Sequence, residues 1–132
     1  MTKFRNNTRT DRWRVSSSYS RNWIGRSQML LDMFLEYEYI SGQTYKVAEL
    51  GCGALAPFHE VCNKRENFSV KKFDIKKWDE NTHILNLNEP NVALPKVDIS
   101  VFAGVLEYLN DVPKTLKKAI LNSSFLLISY SY

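Results

Sequence analysis

The segment Val47-Ala48-Glu49-Leu50-Gly51-Cys52-Gly53-Ala54-Leu55-Ala56 constrains this chain more than any other. An apolar run of strand length ends abruptly in a turn built on two glycines. Pro57, a residue suited to the first turn of a helix, follows at once. Glycines are needed where the backbone bends sharply or where a ligand approaches it closely. Amide groups at the start of the following helix then face whatever sits over the turn. Strand, bare turn and helix in direct succession form the opening unit of a parallel α/β sheet.

The rest of the chain repeats that alternation. A helix is expected from Ser27 to Ile40, with Leu30, Leu31, Phe34 and Tyr37 at helical spacing, Ser27 as N-cap and Ser41-Gly42 as its end. Strands are expected at Tyr45–Leu50, Phe68–Asp74, Thr82–Leu87, Val97–Phe102 and Phe125–Tyr130. One helix should run from Pro57 to about Arg65. Another should be capped by Asp111, with Pro113 in its first turn and Leu116, Ala119 and Ile120 on one face. The expected fold class is α/β, a doubly wound, mostly parallel sheet of about five strands with helices on both faces.

Charge divides the chain at residue 26. Before that point Lys3, Arg5, Arg9, Arg12, Arg14, Arg21 and Arg26 face the single acid Asp11, which gives this arm six net positive charges. The whole chain carries +4, so the remainder holds two net negative charges. Residues 1–26 therefore read as a basic, partly irregular arm and residues 27–132 as the folded domain. The arm could hold a nucleic acid or another anionic partner, but a solvated terminus is the plainer reading. Trp13, Tyr19 and Trp23 lie among its arginines and allow either base stacking or docking on the domain.

Several classes are disfavoured. No apolar run reaches the roughly 18 residues that span a bilayer, and the first residues lack the apolar stretch of a secretory signal. Cys52 and Cys62 have neither metal-ligand nor redox spacing. Reduced thiols, no metal site and a cytoplasmic location are the expectation. His59 and His83 are isolated and are not read as catalytic.

The glycine turn admits three readings. It is a tight turn with no ligand, a dinucleotide site through Gly51, Gly53 and Ala56 in the GxGxxA pattern, or a site for another nucleoside ligand. Glu49 separates the last two. An acid at the end of the strand, facing the crevice, is unfavourable beside a pyrophosphate. It suits a ligand that has no phosphate and carries positive charge.

On these residues the sequence resembles the class I S-adenosylmethionine-dependent methyltransferases, whose Rossmann-like fold opens with an acidic residue and a glycine turn, seen here as Glu49-Leu50-Gly51-Cys52-Gly53. The likeness continues through Phe73-Asp74-Ile75, Asn86-Leu87-Asn88 and Gly104-Val105-Leu106-Glu107-Tyr108-Leu109, and runs from about Val47 to Tyr130. It implies S-adenosylmethionine as cofactor, contacted by Glu49, Gly51, Cys52, Gly53, Asp74, Ile75, Asn86, Leu87 and Ala103. Asp74 would hold the ribose hydroxyls. Tyr19, Trp23 and Arg26 would lie over the cofactor. Two departures stand out: Leu55 replaces the usual third glycine, and Tyr108 replaces a frequent histidine. No catalytic residue is assigned, because methyl transfer relies chiefly on orientation and the methyl acceptor is unidentified. Glu107 and Tyr108 are candidates to face that acceptor, but packing at a helix start accounts for them better.

The family's sheet normally has seven strands, so the resemblance implies that this chain stops after the fifth and leaves an open edge suited to homodimerisation. Two alternatives to a methyltransferase remain. One is a non-catalytic cofactor-binding or scaffold module; the other is a fragment of a nicotinamide-dependent oxidoreductase.

Overall fold

In the computed structural model, which describes residues 21–130, the strands join in one all-parallel sheet. They are β1 (Tyr45–Leu50), β2 (Phe68–Asp74), β3 (Thr82–Ile84), β4 (Ile99–Ala103) and β5 (Phe125–Ser129), in the order β3-β2-β1-β4-β5. Central strands of a parallel sheet are covered on both faces and so read as continuous apolar runs. All five residues of β4 are buried, as are five of the six in β1. In register, Val47 lies beside Val70 on one side and Ile99 on the other. This is a Rossmann-like α/β fold.

Alternation along the strands splits the interior into two layers. Tyr45, Val47, Phe68 and Val101 meet Leu30, Leu31 and Phe34 of α1 (Arg21–Tyr37) and Phe58 and Cys62 of α2 (Pro57–Cys62). Phe34 stands edge-on to Tyr45 at 5.0 Å and to Phe125 at 5.2 Å. On the opposite face Ala48, Leu50 and Phe102 meet Leu106, Leu109 and Ala119, the last from α3 (Val112–Asn122). Helices therefore cover both faces, as expected.

Several boundaries differ from expectation, each for a local reason. Helix α1 begins by Arg21, so Ser27 is not a cap. It is fully buried inside the helix, and the boundary drawn at residue 26 also falls inside it. The helix ends at Tyr37, where the amides of Glu38 and Tyr39 both donate to the Phe34 carbonyl, and Gly42 (φ 86°) shapes a separate turn. Tyr37 is exposed and takes no part in the core. In α2 the last turn tightens, with the amides of Asn63 and Arg65 donating to the carbonyls three residues back, so regular helix stops at Cys62. Strand β3 ends early because the Asn86 side chain accepts the Asn88 amide and turns the chain. Asp111 caps α3 as expected, accepting the Lys114 amide at 3.1 Å, and Ala119 is buried, but Ile120 faces solvent. Among the described residues no helix is long and apolar enough to cross a membrane.

Candidate functional site: the glycine turn and its carboxylates

The carboxyl ends of parallel strands are where open α/β sheets receive ligands. Here β1 leaves the sheet through Gly51 and Gly53, both with left-handed backbone (φ 74° and 68°). The Gly51 and Cys52 amides donate to the Phe73 carbonyl, at 2.8 and 3.0 Å, and so fix the turn to the end of β2. Ala56 is also left-handed (φ 44°, ψ 65°), a costly state for a residue with a Cβ, immediately before Pro57 starts α2.

Glu49 and Asp74 lie on the same face of the sheet, together with Lys72. Glu49 sits two residues after Val47, while Lys72 and Asp74 continue the Phe68–Val70 row. Their duties differ. Glu49 is 1% exposed, and its two oxygens accept the Phe58 amide at 2.9 Å and the His59 amide at 2.8 Å. Its carboxylate is turned onto the start of α2 and not toward an open crevice. Burial pushes its pKa up from 4.5 to about 7, against the pull of those amides and of Lys72.

Asp74 ends β2. One oxygen accepts the Gly53 amide at 2.8 Å and the Trp78 indole N–H at 2.9 Å, and the other accepts the Ile75 amide at 2.7 Å. Burial raises its pKa while the Trp78, Ile75 and Gly53 hydrogen bonds oppose the rise. A carboxylate offers about four lone-pair positions, so Asp74 retains room for one further donor.

The bare positions differ as well. A Cβ on Gly51 would stand 2.4 Å from Val105 Cγ2, so the protein itself occupies that space. On Gly53 the nearest atom would be Trp23 Cζ3, at 3.9 Å. On Gly104, just after β4, it would be Arg26 Nη1, at 3.6 Å. Helix α1 thus places Trp23 and Arg26 over the two glycines at this edge. It also packs on the sheet through Leu30, Leu31 and Phe34. Tyr19 lies outside the described residues.

The remaining site residues are more dispersed. Cys52 is buried, and its thiol is pushed far up by desolvation, which removes nucleophilic character. Cys62 is pushed up to about 12 by the same cause. Leu87 belongs to the second core and Ala103 to the first. Asn86 spends its side-chain oxygen on the local turn. Asn88 reaches further, accepting the Asn110 amide at 2.8 Å and donating to the Tyr108 carbonyl at 3.3 Å. It ties the loop after β3 to the loop before α3. Glu107, in the short 3-10 turn Leu106–Tyr108 that follows β4, has a buried Oε1 with no hydrogen-bond partner among the described residues.

Sequence reasoning missed Lys72, Trp78 and Asp79. Lys72 is buried and pairs with Asp79, whose carboxyl it holds down at about 2. Strand parity was the available signal, since a lysine between Val70 and Asp74 on the inward row needs a counter-charge. Nothing in the local pattern marked Trp78 as a partner of Asp74. Among the described residues no cluster of His, Cys, Asp and Glu could hold a metal ion. No family model matches the sequence, and no curated protein matches it.

Proposed function

We propose that the chain binds S-adenosylmethionine at the Gly51–Gly53 turn and transfers its methyl group to an acceptor. One observation carries this reading: the start of α2 has no amide left to give. Pro57 has none, Phe58 and His59 donate to Glu49, and Glu60 donates to the Ala56 carbonyl. A dinucleotide rests its pyrophosphate on such amides. Here it would meet a helix start already closed by a carboxylate. A nucleoside ligand without phosphate needs no such donors.

The chain's own residues take these roles in the proposal. Asp74 receives the ribose hydroxyls. Gly53 leaves room for the ligand to pass close to the backbone, and Trp23 covers it. When bound, the cofactor supplies an electrophilic methyl carbon. The protein's contribution is orientation, worth roughly 7–11 kcal/mol in well-aligned systems.

Thermal shift on the full chain with S-adenosylhomocysteine or NADH tests the ligand. Saturation at a hundredfold Kd with S-adenosylhomocysteine should stabilise the fold by about 2.7 kcal/mol, and NADH should leave it unchanged. Protection by NADH alone overturns the proposal. Transfer of a labelled methyl group into a cell extract tests the reaction. Binding without labelled product would leave a non-catalytic binding module.

A further inference from the structure

Among the described residues the sheet face opposite α1 and α2 is incompletely covered. Among the described residues the helix on this face is α3, which packs against β5. Over β1 and β2 the irregular segment 85–98 crosses instead, and it leaves a cleft of about 360 Å³. Lys46 lines it from β1, Ser69, Lys71 and Phe73 from β2, His83 from β3, and Lys96 from the crossing segment. Parity explains the β2 set: Phe68, Val70 and Lys72 face α1 and α2, so Ser69, Lys71 and Phe73 face the cleft.

Two features converge there. Lys46, Lys71 and Lys96 are exposed, and none is ion-paired among the described residues. The carboxylate of Asp98, beside the crossing segment, is engaged on the Lys46 amide at 2.7 Å. The Phe73 and His83 rings stack, with centroids 5.1 Å apart and planes 28° from parallel. Phe73 covers one face of the His83 ring, and among the described residues His83 is exposed.

We infer that this cleft binds single-stranded nucleic acid, with a base stacked on the outer face of His83 and phosphates on Lys46, Lys71 and Lys96. A basic groove combined with an aromatic platform is how proteins hold single strands without reading sequence. The ring pair is what favours nucleic acid over an acidic peptide, whose side chains have no flat face to stack. The cleft is too small for a duplex. The basic stretch before residue 27 adds charge of the same sign in the same chain. This inference requires no cofactor and stands apart from the methyl-transfer reading.

Fluorescence anisotropy of a labelled short oligouridylate with the full chain, between about 50 and 200 mM salt, reads it. Replacing all three lysines (Lys46→Gln, Lys71→Gln, Lys96→Gln) should lower the log–log salt slope by about 2, at roughly 0.7 per phosphate contact. His83→Ala should weaken binding about tenfold through lost stacking. Absence of binding overturns the inference. So does an unchanged affinity and slope in the triple variant, which would assign binding to the amino-terminal arm. So does competition by polyglutamate with no effect of His83→Ala, which would mark an anion surface that reads no base. If the triple variant loses its fold, photo-cross-linking of an iodouridine-containing oligomer to the unaltered chain decides. Adducts at Phe73 or His83 support the inference, and adducts only before residue 27 sink it.

Discussion

The two halves of the glycine turn are filled differently. The inner half, Glu49 and Gly51, is closed by the protein: two backbone amides take the carboxylate, and Val105 fills the space that a side chain at Gly51 would need. The outer half, Gly53 and Asp74, is more open at its glycine than at its acid: Asp74 is 2% exposed and accepts donors from Gly53, Ile75 and Trp78. Among the described residues a Cβ at Gly53 would meet only Trp23, and on the proposed reading the Trp78 indole's bond to Asp74 is the one a ligand exchanges for its own. Residue types that look equivalent in the sequence, an acid and a glycine in each half, therefore differ in what surrounds them; on the proposed reading the first pair is structural and the second meets the ligand.

The hardest test of that split is Glu49→Ala. It leaves the buried Phe58 amide and the part-buried His59 amide without an acceptor, at about 1–3 kcal/mol each, and opens a void as well. A loss of about 3–5 kcal/mol in urea unfolding is expected, a large share of a typical domain's 5–15 kcal/mol. A loss below about 1 kcal/mol would mean the inner half is not closed in this way.

The same carboxyl predicts a pH effect of unusual sign. Its pKa in the folded chain is about 7 against an ordinary 4.5. Between those values the folded chain holds a proton that the unfolded chain has released. Stability from this group is therefore greatest at the acid end of the window and falls as pH rises toward 7. At about 1.36 kcal/mol per unit the fall approaches about 3 kcal/mol. Asp74 shifts in the same direction, so the informative quantity is the difference between wild type and Glu49→Gln. That difference should move in favour of the variant as pH climbs from about 4.5 to 7; a flat difference contradicts it.

Gly51→Ala and Gly53→Ala sharpen the comparison at the backbone. Both force a Cβ into left-handed backbone, at about 1–2 kcal/mol. Gly51→Ala also drives that Cβ into Val105, which adds about 1–3 kcal/mol. Denaturation should rank Gly51→Ala as clearly the worse, and Val105→Ala in the same chain should recover part of its loss. Equal losses at the two glycines would erase the distinction between the halves.

Much of this fold was legible because its signals are local. The strand patterns of β1, β2 and β5 and the Asp111 cap depend on neighbours in sequence, and the structure matches them closely. The short β3 was not legible, since an asparagine side-chain turn overrides a plausible strand pattern. Ser27 looked like a cap because serine favours that position, yet tertiary burial claimed it for a helix interior. At the site, the positions of Glu49 and Asp74 on one face follow from strand parity. Their differing duties do not, because they depend on Phe58, His59 and Trp78 arriving from separate turns. The engagement of Glu49 with α2 is the part of the site that no spacing rule encodes.

The smallest effect is the most discriminating for the outer half. Asp74→Asn keeps the size of the side chain but sets an amide donor against donors from Gly53, Ile75 or Trp78. It should weaken S-adenosylhomocysteine binding by about tenfold or more. Trp78→Phe removes one donor and leaves the carboxylate in place. Its cost in stability should stay near 1 kcal/mol, and affinity should hold within about threefold, or improve as the shared oxygen is released. If the indole merely occupies a position that a ribose hydroxyl takes over, losing it cannot harm binding. A loss as large as that of Asp74→Asn would instead make Trp78 part of the ligand's grip, and the outer half would then be a preformed site with no exchangeable bond in it.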